Sequence, residues 1–200
     1  MDMDMNRDEA FQLLCEYTKS DRLIKHGLAV EAAMRGYAAK WDENPDRWGI
    51  VGLLHDFDYE RWPDEHPASG TPILEARGYP PDVVRAIRAH GDHLGLERVT
   101  PMERTLYACD ELSGFLVAVA LVRPDRSLSQ VDVRTVQKKL KDKAFARGVN
   151  REEVRRGMEE LGLAPQEHIA NLLAFLRPVE RTLGLGEVRP ADAHAAPPSA

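Results

Sequence analysis

The spacing of apolar residues constrains the fold of this chain most strongly. Between its proline and glycine positions, apolar side chains recur every three or four residues, and they almost never alternate with a period of two. A period near 3.6 gathers apolar side chains on one side of a helix, whereas a half-buried strand needs alternation. The pattern therefore predicts an all-α protein, and 200 residues suffice to bury one core without disulfides.

Capping residues and helix breakers divide this pattern into predicted helices. Asn6 and Ser20 are caps for the first two helices, Pro45 opens the third, and Gly78 ends the fourth. Pro101 opens the longest apolar helix, which we expect to run through the middle of the protein. The predicted helices cover residues 7–18, 21–41, 45–54, 67–77, 81–90, 101–123, 133–141, 151–161 and 165–183.

The helices group into four predicted segments. An N-terminal helix occupies residues 1–19, a helical core residues 20–123, and further helices packed on the core residues 124–186. The Ala- and Pro-rich residues 187–200 have too little apolar surface to bury, which predicts a disordered tail.

Charge and cysteine content exclude several classes of partner. The formal net charge of −6 argues against a grip on long nucleic acid or an anionic membrane. The longest apolar run, residues 115–122, is far shorter than the ~20 residues that span a bilayer, and the acidic N-terminus resembles no export signal. Cys15 and Cys109 form no disulfide framework, so we expect a protein of the reducing cytoplasm.

Histidine and aspartate residues mark the predicted helix ends. The chain has no GxxxxGK[ST] loop, GxGxxG, HExxH or GxSxG motif, which removes several large enzyme classes. Imidazole and carboxylate groups suit Mn, Fe, Co, Ni, Mg or Zn, and thiolate is nearly absent here. The six candidate ligands for one or two divalent ions are His26, His55, Asp56, His66, His90 and Asp110.

The chain resembles the HD superfamily of metal-dependent phosphohydrolases over about residues 20–121. The resemblance rests on His26 in KHGLAV, on His55-Asp56 in GLLHDFD and on Asp110 in YACDELSG, which together follow the pattern H…HD…D. It implies an HD-domain-like helical bundle in which these four residues hold a first metal ion.

The same resemblance implies that His66 and His90 complete a second metal site that shares Asp56. Members with two ions often carry adjacent histidines where this chain reads His90-Gly91-Asp92-His93. Either His90 or His93 could therefore point inward, and the other would face substrate or solvent.

Several further residues are candidates for catalysis or substrate binding. Asp58 could orient a water or a ligand imidazole, and Glu60 is the alternative; with Asp56 they form the predicted catalytic set. Residues 134–147 carry a local net charge of +5 in an acidic protein, which suits a phosphate group, although such runs are usually solvated helix faces. The predicted substrate-binding residues are Arg88, His93, Lys139, Lys143 and Arg147.

These features favour hydrolysis of a small phosphomonoester or a nucleotide-type phosphoester by a metal-activated water. Two alternatives stay open: a mixed-valent di-iron oxygenase of the same superfamily, and a non-catalytic domain that binds a nucleotide. The sequence names neither the substrate nor the oligomeric state. Outside the ligand set, we expect Cys109 to be a core residue, His168 to lie on the surface and His194 to lie in the tail.

Overall fold

The computed structural model describes residues 5–186, and this part of the chain is helical and contains no β-strand. The predicted tail, with His194, lies outside the described residues. The helices are α1 (Arg7–Tyr17), α2 (Asp21–Lys40), α3 (Pro45–Leu54), α4 (Thr71–Ala76), α5 (Pro81–Ala89), α6 (Pro101–Leu121), α7 (Val133–Lys141), α8 (Arg151–Leu161) and α9 (Pro165–Leu176). The all-α prediction is confirmed.

Two predicted helices are shorter than expected. Residues 67–70 form turns, because the backbone N–H of Gly70 donates to the side chain of Asp58, and α4 begins only at Thr71. Helix α9 ends at Leu176, since Pro178 lacks the backbone N–H that would continue the hydrogen-bond pattern of the helix. A single turn of 3₁₀-helix, Arg177–Val179, follows.

Helix α6 lies at the centre of the fold, as predicted. It contacts α2, α3, α5, α7, α8 and α9, and its side chains are buried on most of its surface. A capping box fixes its start: Thr100 accepts the backbone N–H of Glu103, and Glu103 accepts the backbone N–H of Thr100 in return. The helix that carries Asp110 is therefore held by packing on several sides.

Helices α8 and α9 cover α6 and α2, and α7 packs on α6 and α9. Asn150 caps α8, and Gly157 on α8 fits against α6, where a Cβ would lie 2.7 Å from the Cα of Ala108. The segment boundaries at residues 20 and 124 stay predictions. No helix in residues 5–186 combines the length and apolarity required to cross a membrane.

The surface location predicted for His168 is wrong, since this imidazole is fully buried between α9, α2 and α6. Its Nε2–H donates to the carbonyl oxygen of Ala108 at 3.0 Å, and its Nδ1 accepts the hydroxyl of Tyr37 at 2.5 Å. The hydrogen bond accepted by Nδ1 requires the neutral ring. Burial lowers the pKa of His168 to about 4 from an ordinary value of 6.5.

We expect His168 to make the protein labile to acid. The pKa of His168 is lower in the folded protein than in the unfolded chain. Between pH 6.5 and 4 the unfolded chain therefore binds a proton that the folded protein does not bind, and the free energy of unfolding decreases as the pH falls. The loss should approach about 3 kcal/mol at pH 4, or about 2 kcal/mol between pH 7 and 5. Urea unfolding at both pH values, compared between the wild type and His168→Gln, measures it. Equal pH dependence in the two proteins would contradict this role.

Candidate metal centre

The six candidate ligands come from four helices and one loop. His26 lies within α2 and Asp110 within α6, while His55 and Asp56 directly follow α3. His66 belongs to the loop between α3 and α4, and His90 follows the last residue of α5. The structure brings all six side chains together.

Two glycines allow α2 and α3 to approach closely enough for this. A Cβ at Gly27 would lie 2.9 Å from the carbonyl oxygen of Leu53, and one at Gly52 would lie 2.7 Å from that of Val30. Gly27 follows His26 in sequence. Close contact of the two backbones thus sets the distance between the imidazoles of His26 and His55.

The first group of ligands consists of His26, His55, Asp56 and Asp110. His26 Nε2 lies 2.9 Å from Asp110 Oδ1 and 3.2 Å from His55 Nε2. His55 Nε2 lies 3.3 Å from Asp110 Oδ1, and Asp56 Oδ2 lies 3.6 Å from His26 Nε2. Two nitrogens and two carboxylates therefore surround one point.

The second group consists of Asp56, His66 and His90. Asp56 Oδ1 lies 3.0 Å from His66 Nε2 and 3.4 Å from His90 Nε2, and these two nitrogens are 3.1 Å apart. Asp56 thus belongs to both groups. His90 is buried and His93 is exposed, which answers the question of which imidazole faces inward.

Hydrogen bonds on the opposite ring nitrogens fix the tautomers of three imidazoles. The Nδ1–H of His55 donates to the carbonyl of Gly52 at 2.8 Å, and that of His90 donates to Ile87 at 2.5 Å. His66 donates its Nδ1–H to Asp58. In the neutral rings every Nε2 therefore presents a lone pair, and these lone pairs face each other and two carboxylates. A bound proton or a metal cation would relieve that repulsion.

The ligand spacing fits a transition-metal ion. With metal–nitrogen bonds of about 2.1 Å, adjacent ligand atoms are separated by about 3.0 Å in octahedral and about 3.4 Å in tetrahedral geometry. The distances from the imidazole Nε2 atoms to one another and to the carboxylate oxygens run from 2.9 to 3.6 Å in the contacts of both groups. Imidazole and carboxylate ligands without thiolate suit Mn, Fe, Co, Ni or Zn.

Proton binding competes with metal binding at this centre. Burial would raise the pKa of Asp56, but the His55 charge and hydrogen bonds from three imidazoles hold that pKa well below its usual range. Burial opposes protonation of His66, yet hydrogen bonds to Asp56 and Asp58 raise its pKa to about 9. A metal ion must displace such protons, so its affinity increases with pH.

Asp58 is fully buried beside the second group. Its Oδ1 accepts the Nδ1–H of His66 at 2.5 Å, and its Oδ2 accepts the backbone N–H of Gly70 at 2.7 Å. A carboxylate in this position orients a ligand imidazole and increases its basicity. Of the two tasks predicted for Asp58, the contacts favour orienting an imidazole.

Asp58→Asn should weaken metal binding at the second group by about 10- to 100-fold and leave the first group unchanged, since asparagine is a weaker acceptor for the His66 ring. Titration of the chelator-treated protein with Co²⁺ measures both affinities. Glu60→Gln is the matched control from the same loop. Unchanged turnover and metal content in Asp58→Asn would remove this role.

Glu60 is not brought to the cluster. Its carboxylate accepts the backbone N–H groups of Lys19 and Ser20 at 2.7 and 2.9 Å, immediately before α2. These hydrogen bonds, Ser20 first and Lys19 next, lower the pKa of Glu60. Glu60 thus ties the loop after α3 to the start of α2.

The predicted substrate-binding residues come from two parts of the chain, α5 with the turn after it and residues 134–147. Arg88 is exposed and lines a cleft of about 480 Å³ with Thr71, Tyr79 and Arg85. Lys143 and Arg147 are exposed in the loop after α7.

The basic segment, residues 134–147, is anchored to the helix that carries Asp110. Lys139 lies over the ring of Phe145 at 4.5 Å, and that ring packs edge-on against Phe115 of α6. Beyond the segment, the backbone N–H of Asn150 donates to Glu111 at 3.1 Å. Glu111 directly follows Asp110, so the loop that ends the basic segment reaches the rim of the metal centre.

Glu111 is not among the site residues predicted from the sequence, although it lies beside the ligand Asp110. Burial, with the charge of Asp110 as the next cause, raises its pKa to about 7. Its place directly after a ligand aspartate was the one available signal. Its partner Asn150 lies 39 residues away, and no sequence pattern indicates that contact.

These features define an all-helical arrangement of residues 5–186 with a histidine–aspartate cluster positioned to hold a divalent metal ion. Residues 23–114 match the family model described as HD domain, and all six ligands fall within that range. The chain therefore contains an HD domain, the type found in metal-dependent phosphohydrolases. Neither the curated proteins nor the solved structures that were compared give a match.

Proposed function

We propose that this protein is a metal-dependent phosphohydrolase that acts on a small phosphomonoester or nucleotide-type substrate. The observation that carries the proposal is the pair of ligand groups that share Asp56, with imidazole Nε2 atoms and carboxylate oxygens converging at 2.9 to 3.6 Å. The HD domain supports the same class of reaction.

Divalent ions held there would supply a water of lowered pKa and would neutralise charge on a phosphoryl oxygen. The protein itself positions the ligands. His55 and His90 are oriented by backbone carbonyls and His66 by Asp58, so these three rings need not reorient before reaction.

Cations for the substrate phosphate would come from the basic segment. Its six lysine and arginine side chains form no ion pair with a carboxylate of residues 5–186, whereas many arginines elsewhere do. Cations that pair with no carboxylate in this described part of the chain are available to a phosphate group. We therefore keep Lys139, Lys143 and Arg147 as substrate-binding residues, with Lys139 also packed on Phe145.

Lys143→Ala is expected to raise KM about tenfold, because one charge-assisted hydrogen bond to phosphate is lost, and to leave metal affinity unchanged. Steady-state kinetics together with a Mn²⁺ titration separate the two effects. Arg134→Ala, at the other end of the basic segment, is the control. If KM is the same in all three proteins, the segment is a solvated face and binds no substrate.

The proposed activity is tested by a screen for phosphate release. The chelated protein receives Mn²⁺, Co²⁺, Ni²⁺, Mg²⁺, Zn²⁺ or Fe²⁺ singly, and nucleotides and sugar phosphates are supplied as substrates. We expect at least one ion to restore phosphate release without oxygen. Oxygen uptake with iron and no phosphate release would indicate the oxygenase alternative, and tight nucleotide binding without turnover would indicate a binding domain.

The free thiols of Cys15 and Cys109 agree with our proposal of a reducing cytoplasm as the location.

A further inference from the structure

A buried arginine outside the metal ligands organises the loop after α5. The side chain of Arg98 is only 7% exposed, and its guanidinium stacks on the ring of Tyr107 at 3.5 Å. Arg98 donates from Nε and Nη2 to both carboxylate oxygens of Glu160 at 2.6 and 2.7 Å. This is the bidentate geometry of a strong arginine–carboxylate pair.

The same guanidinium holds the chain on both sides of His90. Its Nη1 donates to the carbonyl of Ala89 at 3.1 Å and to Asp92 Oδ1 at 2.9 Å. Ala89 directly precedes His90, and Asp92 follows two residues later. One planar group thus fixes the backbone that presents this imidazole to the second ligand group.

Asp92 joins this arrangement to two further helices. Its Oδ2 accepts the hydroxyl of Tyr107 on α6 at 2.8 Å and Nη1 of Arg156 on α8 at 2.5 Å. Glu160 also belongs to α8, one turn after Arg156. Two arginines therefore neutralise two carboxylates, and α8 supplies one of each.

The partners are far apart in sequence. Arg98 and Glu160 are separated by 62 residues, and Asp92 and Arg156 by 64. Residue 160 also lies beyond the range matched by the HD domain. The loop that presents His90 is thus held from outside the matched domain.

We propose that Arg98, Asp92, Tyr107, Arg156 and Glu160 form a positioning network that sets the geometry of His90 and makes the second ligand group depend on docking of α8. The inference rests on the metal centre proposed above. It assigns α8 a role in metal affinity in addition to covering α6. None of the five residues is required to touch the ion.

Metal titration tests the network directly. Co²⁺ is added to the chelated full-length protein, and the two dissociation constants are measured by calorimetry and by visible absorption. Tyr107→Phe keeps the ring under Arg98 and removes only the hydroxyl that Asp92 accepts. Arg156→Gln removes the partly exposed positive charge that pairs with Asp92. Arg98→Lys keeps a positive charge, but an ammonium group cannot contact Glu160, Ala89 and Asp92 at the same time. Arg155→Gln, whose ion pairs with Glu152 and Glu159 are exposed, is the control on the same helix.

We expect the dissociation constant of Co²⁺ at the second ligand group to rise about 10- to 100-fold in Arg98→Lys. It should rise by a smaller factor in Tyr107→Phe and Arg156→Gln. The first constant and the Arg155→Gln control should match the wild type. Equal weakening of both constants, or wild-type values in folded Tyr107→Phe and Arg156→Gln, would overturn the network. A wild type that binds no Co²⁺ would overturn the metal centre itself, which is a distinguishable result.

Discussion

Replacing Asp56 with asparagine should abolish metal binding at both ligand groups and reduce phosphate release by more than about 10³-fold. Asp56 is the one carboxylate shared by the two groups, with Oδ2 facing His26 and Oδ1 facing His66 and His90. The amide of asparagine has one neutral oxygen, and its NH₂ group cannot coordinate a cation. The loss of phosphate release should therefore be larger than in a variant, such as Asp58→Asn, that changes only a residue orienting a ligand imidazole.

The measurement combines metal content of the purified protein with kcat/KM under saturating Mn²⁺. Asp64→Asn is the control, because Asp64 is an exposed aspartate of the same loop. The circular dichroism spectrum should be unchanged in both variants. Two bound ions and wild-type turnover in Asp56→Asn would refute the shared-ligand arrangement.

Gly52→Ala should lower the free energy of unfolding by about 3 kcal/mol, which is large for one methyl group. The added Cβ would lie 2.7 Å from the carbonyl oxygen of Val30 and 2.8 Å from its carbonyl carbon. These are backbone atoms of α2, so no side chain can rotate away. Helices α2 and α3 must separate, and with them His26 and His55.

Urea unfolding of the metal-free protein measures this loss, and the Co²⁺ spectrum should report a disturbed first ligand group. Gly148→Ala is the matched control, since a Cβ there meets nothing within 4 Å. Equal free energies of unfolding for Gly52→Ala and Gly148→Ala would show that the protein tolerates a Cβ between α2 and α3, which would contradict the prediction.

The sequence predicted the fold class well because apolar periodicity and helix caps are local signals. The side chain of Asn6, for example, accepts backbone N–H groups two and three residues later. The candidate ligands were predictable for a related reason. His55 and His90 stand where apolar helices end, and the whole set of imidazole and carboxylate groups near such ends indicates a shared site, which a single histidine would not.

Long-range polar contacts could not be predicted. The hydroxyl of Tyr37 and the carbonyl of Ala108 make a buried site for His168, but they come from distant helices. Glu60 meets α2 through backbone N–H groups 40 and 41 residues earlier. No periodicity indicates such partners, since polar pairing depends on three-dimensional proximity and not on local pattern.

Helices α3 and α5 both end at the metal centre, where the carbonyls of Gly52 and Ile87 accept hydrogen bonds from His55 and His90. The C-terminal end of a helix carries a partial negative charge equivalent to about half an electron. Two such ends, added to the carboxylates of Asp56 and Asp110, would disfavour binding of a phosphate before a metal ion is bound. We therefore expect phosphate to bind the metal-free protein weakly, and divalent ions held by these residues would neutralise the local negative charge and favour binding of the anionic substrate.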